Sequence, residues 1–192
     1  MKRPLISLIP GLAAAFALGL LVSAFAYDGD HAALAAAPGP ALSTVTVGFS
    51  PGNAQAVVVD TIDAARTSIR LAAYSFTSKP IAAALVAASK RGVDVKVVVD
   101  KSQRTERYTS ATFLANMGIP VRVDARYSIM HNKFMVIDGT TVQTGSFNYT
   151  ASAARRNAEN VIVVAGAPGM VSAYDTEWRR LWNESEPYGA RY

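Results

Sequence analysis

His131-Asn132-Lys133-Phe134-Met135-Val136-Ile137-Asp138, continued through Gly139-Thr140-Thr141-Val142-Gln143-Thr144 to Gly145-Ser146-Phe147-Asn148, reads as two strands joined by a turn. Asp138-Gly139 is a favoured two-residue hairpin turn. In a strand, residues two apart share a face, so His131 projects with Lys133, and Ser146 with Asn148. A two-residue turn sets His131 opposite Ser146 and Lys133 opposite Thr144. A four-residue turn sets His131 opposite Asn148 and Lys133 opposite Ser146. Either register gathers the polar side chains on one patch, whereas a three-residue turn sends the two sets to opposite faces. The Asp-Gly pair favours the even register, which is the expectation here. Phe134 and Val136 take the other face and suit a core covered by a helix.

Outward from this hairpin, strand-like and helix-like segments alternate from Leu42 onward. Val45 to Phe49 is a β-branched run closed by Ser50-Pro51-Gly52. Ala54 to Arg66 has helical spacing, with Val57, Val58, Ile62 and Ala65 on one side. Ile69 to Phe76 reads as a buried strand. Ser78 suits the N-cap of a second helix, which Arg91-Gly92 ends. Val93 to Val99 is an apolar strand, followed by a polar loop with Arg104 and Arg107. The spacing predicts a short helix from Ser110 to Met117 and a strand over Val121 to Val123. It also predicts strands over Ile129 to Ile137, Thr141 to Thr144 and Asn160 to Val164. A last helix, Pro168 to Asn183, carries Met170, Tyr174, Trp178, Leu181 and Trp182 on one side. This order implies an α/β fold with a mixed β-sheet and helices on both faces.

The beginning of the chain has a different character. Lys2 and Arg3 precede an apolar run from Leu5 to Val22, and Ala24-Phe25-Ala26 fits a small-x-small cleavage site. That is the layout of a secretory signal, expected over residues 1–26, with an uncleaved anchor as the alternative. Residues 27–41 read as a flexible linker rich in Ala, Gly and Pro, leaving 42–192 as one domain. Cleavage removes Lys2 and Arg3 but no acid, lowering the net charge from +5 to +3. The expected location is exported, periplasmic or secreted, with no stable membrane association after cleavage. Cysteine is absent, which excludes thiolate catalysis and thiolate zinc sites and leaves the core to supply stability.

The chemistry is concentrated in the hairpin. An imidazole, an ammonium and neutral donors suit attack on a phosphodiester, in which a nucleophile or acid works beside groups that hold phosphate oxygens. A catalytic imidazole also needs a partner for its second nitrogen, and Asp138 or Glu159, which opens the next strand, can serve. The spacing argues against a metal site: His31, the other histidine, lies in the linker, and no H-E-x-x-H or paired-Asp pattern occurs. No cofactor is implied.

His131-x-Lys133, Asp138 and Gly145-Ser146 stand at the spacings of the HKD signature, and the chain resembles the phospholipase D superfamily. Asn148-Tyr149-Thr150, Asn157-Ala158-Glu159-Asn160-Val161, Ala73-Tyr74-Ser75-Phe76-Thr77 and Arg91-Gly92-Val93-Asp94-Val95-Lys96 extend the likeness toward its small bacterial Nuc-like endonuclease branch. The resemblance implies the phospholipase D/nuclease-like fold and a metal-independent reaction. His131 would be the nucleophile on phosphorus, giving a phosphohistidine. Lys133 and Asn148 would bind phosphate oxygens with Ser146 nearby, and Glu159 would orient His131. Asp138 would be structural.

One motif supplies one histidine, whereas displacement at a diester wants a nucleophile on one side and a proton donor on the other. The second histidine is expected from a second copy, in a homodimer whose two-fold axis passes through the site. The leading expectation is an exported, non-specific endonuclease acting on DNA or RNA. Lys79, Arg104, Arg107, Arg126, Arg155 and Arg156 are candidate backbone contacts. The alternatives are a phospholipid phosphodiesterase and a nucleic-acid-binding module without turnover.

Overall fold

The computed structural model describes residues 43–189. The expected signal and linker, 1–26 and 27–41, lie outside them. Eight strands form one mixed sheet in the order β1-β7-β6-β5-β2-β3-β4-β8. They are β1 (Thr44–Ser50), β2 (Ser68–Ala73), β3 (Asp94–Asp100), β4 (Val121–Asp124), β5 (Lys133–Ile137), β6 (Thr141–Gly145), β7 (Glu159–Ala165) and the short β8 (Glu186–Pro187). β2, β3 and β4 are parallel to one another, and the remaining pairs are antiparallel. Among the described residues, five α-helices accompany them: α1 (Ala54–Ala64), α2 (Lys79–Lys90), α3 (Ser110–Asn116), α4 (Ala151–Arg155) and α5 (Pro168–Glu184).

Alternation along the strands sorts the core into two layers. Ile69, Leu71, Val95, Val97, Val99, Met135 and Ile137 face α1, α2 and α3. Ala72, Val98, Phe134, Val136 and Val142 face α5, where Val171, Trp178 and Leu181 cover them. Phe134 and Val136 thus lie under a helix, as their parity requires. Helices on both faces follow from parallel strands that need covering twice. Ser78 caps α2, accepting from the Ile81 amide. α5 is tied to the sheet by the Trp178 indole N–H, which donates to the Leu71 carbonyl at 3.0 Å. The spacing did not foretell α4 or β8, because each is too short to show a period.

The hairpin register differs from the even one. Ile137 pairs with Thr141 and Phe134 with Thr144, so Asp138, Gly139 and Thr140 intervene. Asp138 and Gly139 both adopt left-handed backbone, with φ of 54° and 63°. The Thr140 amide returns to the Ile137 carbonyl at 3.1 Å. The turn is therefore the primed type that Asp-Gly favours, but Thr140 bulges out of the ladder. Its carbonyl instead accepts from the Gly166 amide across the sheet end. That single extra residue moves Thr144 to the face of Phe134, opposite Lys133.

β5 is also shorter than the apolar run. At Met130 and His131 the backbone bonds to side chains instead of a neighbouring strand. The Met130 amide donates to the buried Asp100 carboxylate at 2.7 Å, and the His131 carbonyl accepts from the Lys133 ammonium at 2.7 Å.

Asp138 closes the far end of the hairpin onto β2. Its carboxylate accepts from the amides of Arg66, Thr67 and Ser68 and from the Thr67 hydroxyl, at 2.7 to 2.9 Å. Partial burial pushes its pKa up, but these four donors outweigh burial and hold it below the usual 3.8. The charged form therefore adds stability above that value, and the contribution is lost as pH falls through the folded-state pKa. Asp138→Ala should lower stability by roughly 2 kcal/mol, because three amides lose a charged acceptor. Asp138→Asn keeps the turn and one acceptor and should cost less. Denaturant midpoints from pH 7 to pH 3 check this, and the gap between wild type and Asp138→Asn should narrow at the acid end.

Candidate active site

The functional groups meet beyond the ends of the strands, where the ladder no longer sets their parity. His131 precedes β5, Ser146 and Asn148 follow β6, and Glu159 opens β7. With Lys133 and Thr144 these residues line a concavity of about 350 Å³. The odd register of the hairpin does not scatter them, because of these residues only Lys133 and Thr144 belong to the β5–β6 ladder.

Gly145 makes this convergence possible. Its φ of 148° lies where side chains are rarely accommodated. A Cβ there would stand 2.2 Å from the Asn160 carbonyl oxygen. The close approach lets β6 lie against β7 to its last residue and then turn. Ser146 is consequently set beside Glu159, with its hydroxyl donating to Glu159 Oε2 at 2.6 Å. The same hydroxyl accepts from the Asn160 amide at 3.0 Å. The other Glu159 oxygen accepts from Asn157 Nδ2 at 2.9 Å. Asn148 Oδ1 is buried and has no hydrogen-bond partner in the protein.

His131 is exposed, whereas Lys133 is buried. The Lys133 ammonium lies 3.0 Å from His131 Nδ1 and 2.7 Å from the His131 carbonyl. Burial pushes the Lys133 pKa below its usual 10.5, against the opposing pull of the Glu159 carboxylate. An ammonium can only donate, so Nδ1 accepts and a neutral His131 ring carries its proton on Nε2. A general acid needs the imidazolium, protonated on both nitrogens, whose Nδ1–H must leave the ammonium for an acceptor. A ring that attacks phosphorus needs Nε2 bare, which requires Nδ1–H to face an acceptor instead. Glu159, expected as that acceptor, is in the same concavity with its oxygens on Ser146 and Asn157.

Asp138 is not brought to the site. Five strand residues separate its carboxylate from the His131 end, roughly 16 Å at the rise of a strand. Tyr74 is an addition that spacing did not single out. Its ring centroid is 4.5 Å from that of His131, and the Lys133 ammonium is 5.3 Å from the same ring. The Tyr74 amide donates to the Asn132 carbonyl at 2.9 Å, extending the β2–β5 pairing past its last residues. Finding Tyr74 required knowing that β2 and β5 are neighbours, a contact far apart in sequence. The loop before His131 is held in turn by Asp100, by the Asp124 carboxylate on the Arg126 amide, and by Lys101 on the Tyr127 carbonyl.

A sequence model described as the cardiolipin synthase, phospholipase D-like domain matches residues 58–182. The chain belongs to the phospholipase D superfamily. Phospholipase D of Rickettsia bellii (strain RML369-C) is 40% identical over 137 residues, 71% of this chain and 68% of its own length. A mitochondrial cardiolipin hydrolase of Xenopus laevis is 37% identical over 123 residues, 64% of this chain and 58% of that protein. The solved structure of Nuc, a phospholipase D family member from Salmonella typhimurium, superposes with a TM-score of 0.76 at 43% identity. The match covers 78% of this chain and all of that one. NucT from Helicobacter pylori shares the fold, with a TM-score of 0.71 at 21% identity. As a phospholipase D-type protein the chain is a phosphodiesterase. The ammonium, hydroxyl and amide grouped around His131 open at one mouth, an arrangement that suits an anion. Among the described residues, no three His, Asp or Glu side chains come together as a metal site.

Gly145→Ala should displace Ser146 from Glu159 by an ångström or more and cut turnover on the order of 100-fold. Hydrolysis of bis(4-nitrophenyl) phosphate, read beside the circular dichroism spectrum, separates that loss from unfolding.

Proposed function

We propose that the protein is an exported, non-specific endonuclease that cleaves DNA or RNA without a divalent metal, through a phosphohistidine on His131. One observation carries the reading: a single exposed histidine shares a concavity with Lys133, Ser146, Asn148 and Glu159. The likeness to Nuc at 43% identity supports a nuclease, whereas the relatives called phospholipase D and cardiolipin hydrolase support a lipid substrate. No helix among the described residues is long and apolar enough to cross a membrane. Export rests on the reading of residues 1–26, which the mass of the mature protein tests.

In the proposed cycle, His131 Nε2 of one copy attacks phosphorus, forming a P–N bond while the bond to the leaving 3′ oxygen breaks. The second copy's imidazole gives its Nε2 proton to that oxygen, then takes one from water. The resulting hydroxide breaks the P–N bond and releases a 5′-phosphate. Lys133, Ser146 and Asn148 hold the phosphate oxygens. The two imidazoles start in opposite protonation states, so rate against pH should be bell-shaped. The donating imidazolium carries Nδ1–H as well, so its Nδ1 too must leave the Lys133 ammonium for an acceptor. In the attacking copy, Nδ1–H would turn to Glu159.

An uncovered apolar strip supports the pairing of two copies. Gly48 faces α1, because a Cβ there would lie 3.0 Å from Ala54. Val45, Val47 and Phe49 therefore point to the opposite side of β1. That is the side on which α5 covers β2, β4, β5 and β6. The three residues are 58%, 52% and 60% exposed. The strip runs up to the site, since Phe49 pairs with Asn160 and Ser50 with Glu159. A second copy covering this strip would bring its own His131 toward the first.

Digestion of plasmid DNA, single-stranded DNA and RNA with chelator present, beside phosphatidylcholine and cardiolipin vesicles, decides the substrate. Cleavage of nucleic acid alone is expected, and vesicle hydrolysis alone would sink the nuclease reading. His131→Asn should abolish cleavage while leaving strand binding within about twofold. Phe49→Glu should shift the mass in solution from dimer to monomer and abolish cleavage with it. A fully active monomer contradicts the shared site.

A further inference from the structure

A second concavity is linked through the backbone to the active-site loop and shares no lining residue with the first. Thr77, Lys79, Ala83, Tyr108 and Phe113 line a cleft of about 510 Å³ between the start of α2 and the loop leading into α3. The backbone ties it to the active site. The amides of Thr77 and Ser78 both donate to the carbonyl of Tyr149, at 2.9 and 2.8 Å, and Tyr149 directly follows Asn148. Phe76 and Tyr149 form a β-bridge at the same place.

Two aromatic rings stand out in this cleft. Tyr108 is 72% exposed and Phe113 46%, although α3 closes the core with Ala111 and Leu114 on its other side. One exposed ring is ordinary; two in one concavity beside an anion site are a stacking surface in search of a flat partner. The surroundings are cationic. The Arg107 guanidinium lies 5.5 Å from the Tyr108 ring centroid, and Lys79 stands at the mouth. The neighbouring carboxylate, Glu106, is engaged locally, accepting from the Tyr108 amide at 3.3 Å.

We infer that this cleft is a nucleobase subsite, in which Tyr108 and Phe113 receive a base of the strand whose diester lies at His131. The inference rests on the nucleic-acid reading of the active site. A base offers a π-face to Tyr108, and its backbone phosphates suit Arg107 and Lys79. An acyl chain would use the apolar lining but would press hydrocarbon against a guanidinium and an ammonium, desolvating both. Every base has a π-face, so the subsite adds affinity without selecting sequence. A base inside a duplex already has both faces stacked. The cleft therefore favours single strands and frayed ends, which defines the substrate class more narrowly than the phosphate site can.

The test compares a single-stranded DNA oligonucleotide with an abasic strand of equal length and charge. Binding is followed by fluorescence anisotropy in a His131→Asn background, which keeps the strand intact, and cleavage in the otherwise native enzyme. The base-bearing strand should bind about tenfold more tightly than the abasic one. Tyr108→Ala should remove that preference, and Phe113→Ala should reduce it. Tyr108→Trp should preserve it, which separates lost stacking from lost folding. If both strands bind alike, or the preference survives both alanine variants, the subsite is overturned. Cleavage of both strands in that case would leave the nuclease reading standing. Vesicle hydrolysis that falls with Tyr108→Ala, without strand binding, would overturn both.

Discussion

The backbone of Gly145 lies so close to β7 that a Cβ would stand 2.2 Å from the Asn160 carbonyl oxygen. That approach is the constraint on which the site depends. It lets β6 and β7 remain paired to the end of the sheet, with Gly145 against Val161. The chain then leaves the ladder at a point where Ser146 meets Glu159. With a side chain at 145 the two strands would part early, and the Ser146 hydroxyl could not bridge the Glu159 carboxylate and the Asn160 amide. The opposite end of the hairpin obeys a separate constraint. Asp138 fixes it to β2 through three amides and a hydroxyl. The two ends of one hairpin thus divide the labour: one is bound into the scaffold, and the other is opened for chemistry.

Much of this was legible in sequence because the fold is built from strongly patterned segments. The apolar runs at β2 and β3 and the α5 stripe gave the sheet and its two helical layers. Ser78 and Arg91-Gly92 marked the ends of α2 through local capping chemistry. The hairpin register was not legible. Asp138-Gly139 forms the expected left-handed pair, yet Thr140 bulges because its carbonyl is claimed by Gly166, a contact across the sheet. Nor could spacing show that β5 begins only at Lys133. The buried Asp100 carboxylate takes the Met130 amide from the ladder, and Asp100 lies thirty residues earlier in the chain.

The polar motif was readable for a reason independent of register. Its members sit where the chain enters and leaves strands, so their meeting depends on which strand ends are adjacent. Parity argued for one patch by a route the structure does not follow, and the patch forms nonetheless beyond the ladder. Spacing did not mark Tyr74 as a site residue, because only the pairing of β2 with β5 brings it against His131. Glu159 lies in the concavity, held by Ser146 and Asn157, while His131 Nδ1 faces Lys133.

That last arrangement bears on the central claim. A neutral ring whose Nδ1 faces an ammonium carries its proton on Nε2, so the site as it stands offers neither a bare nucleophile nor an imidazolium acid. In the proposed dimer, two copies in complementary protonation states would supply both. The decisive measurement mixes native protein with the His131→Asn variant at fixed total concentration, allows the chains to exchange, and follows cleavage against the native fraction. If two histidines share one site, an equal mixture retains about a quarter of the activity, because only native pairs turn over. A mixture that retains about half, in proportion to the native chains present, would mean that each chain works alone and would contradict the account.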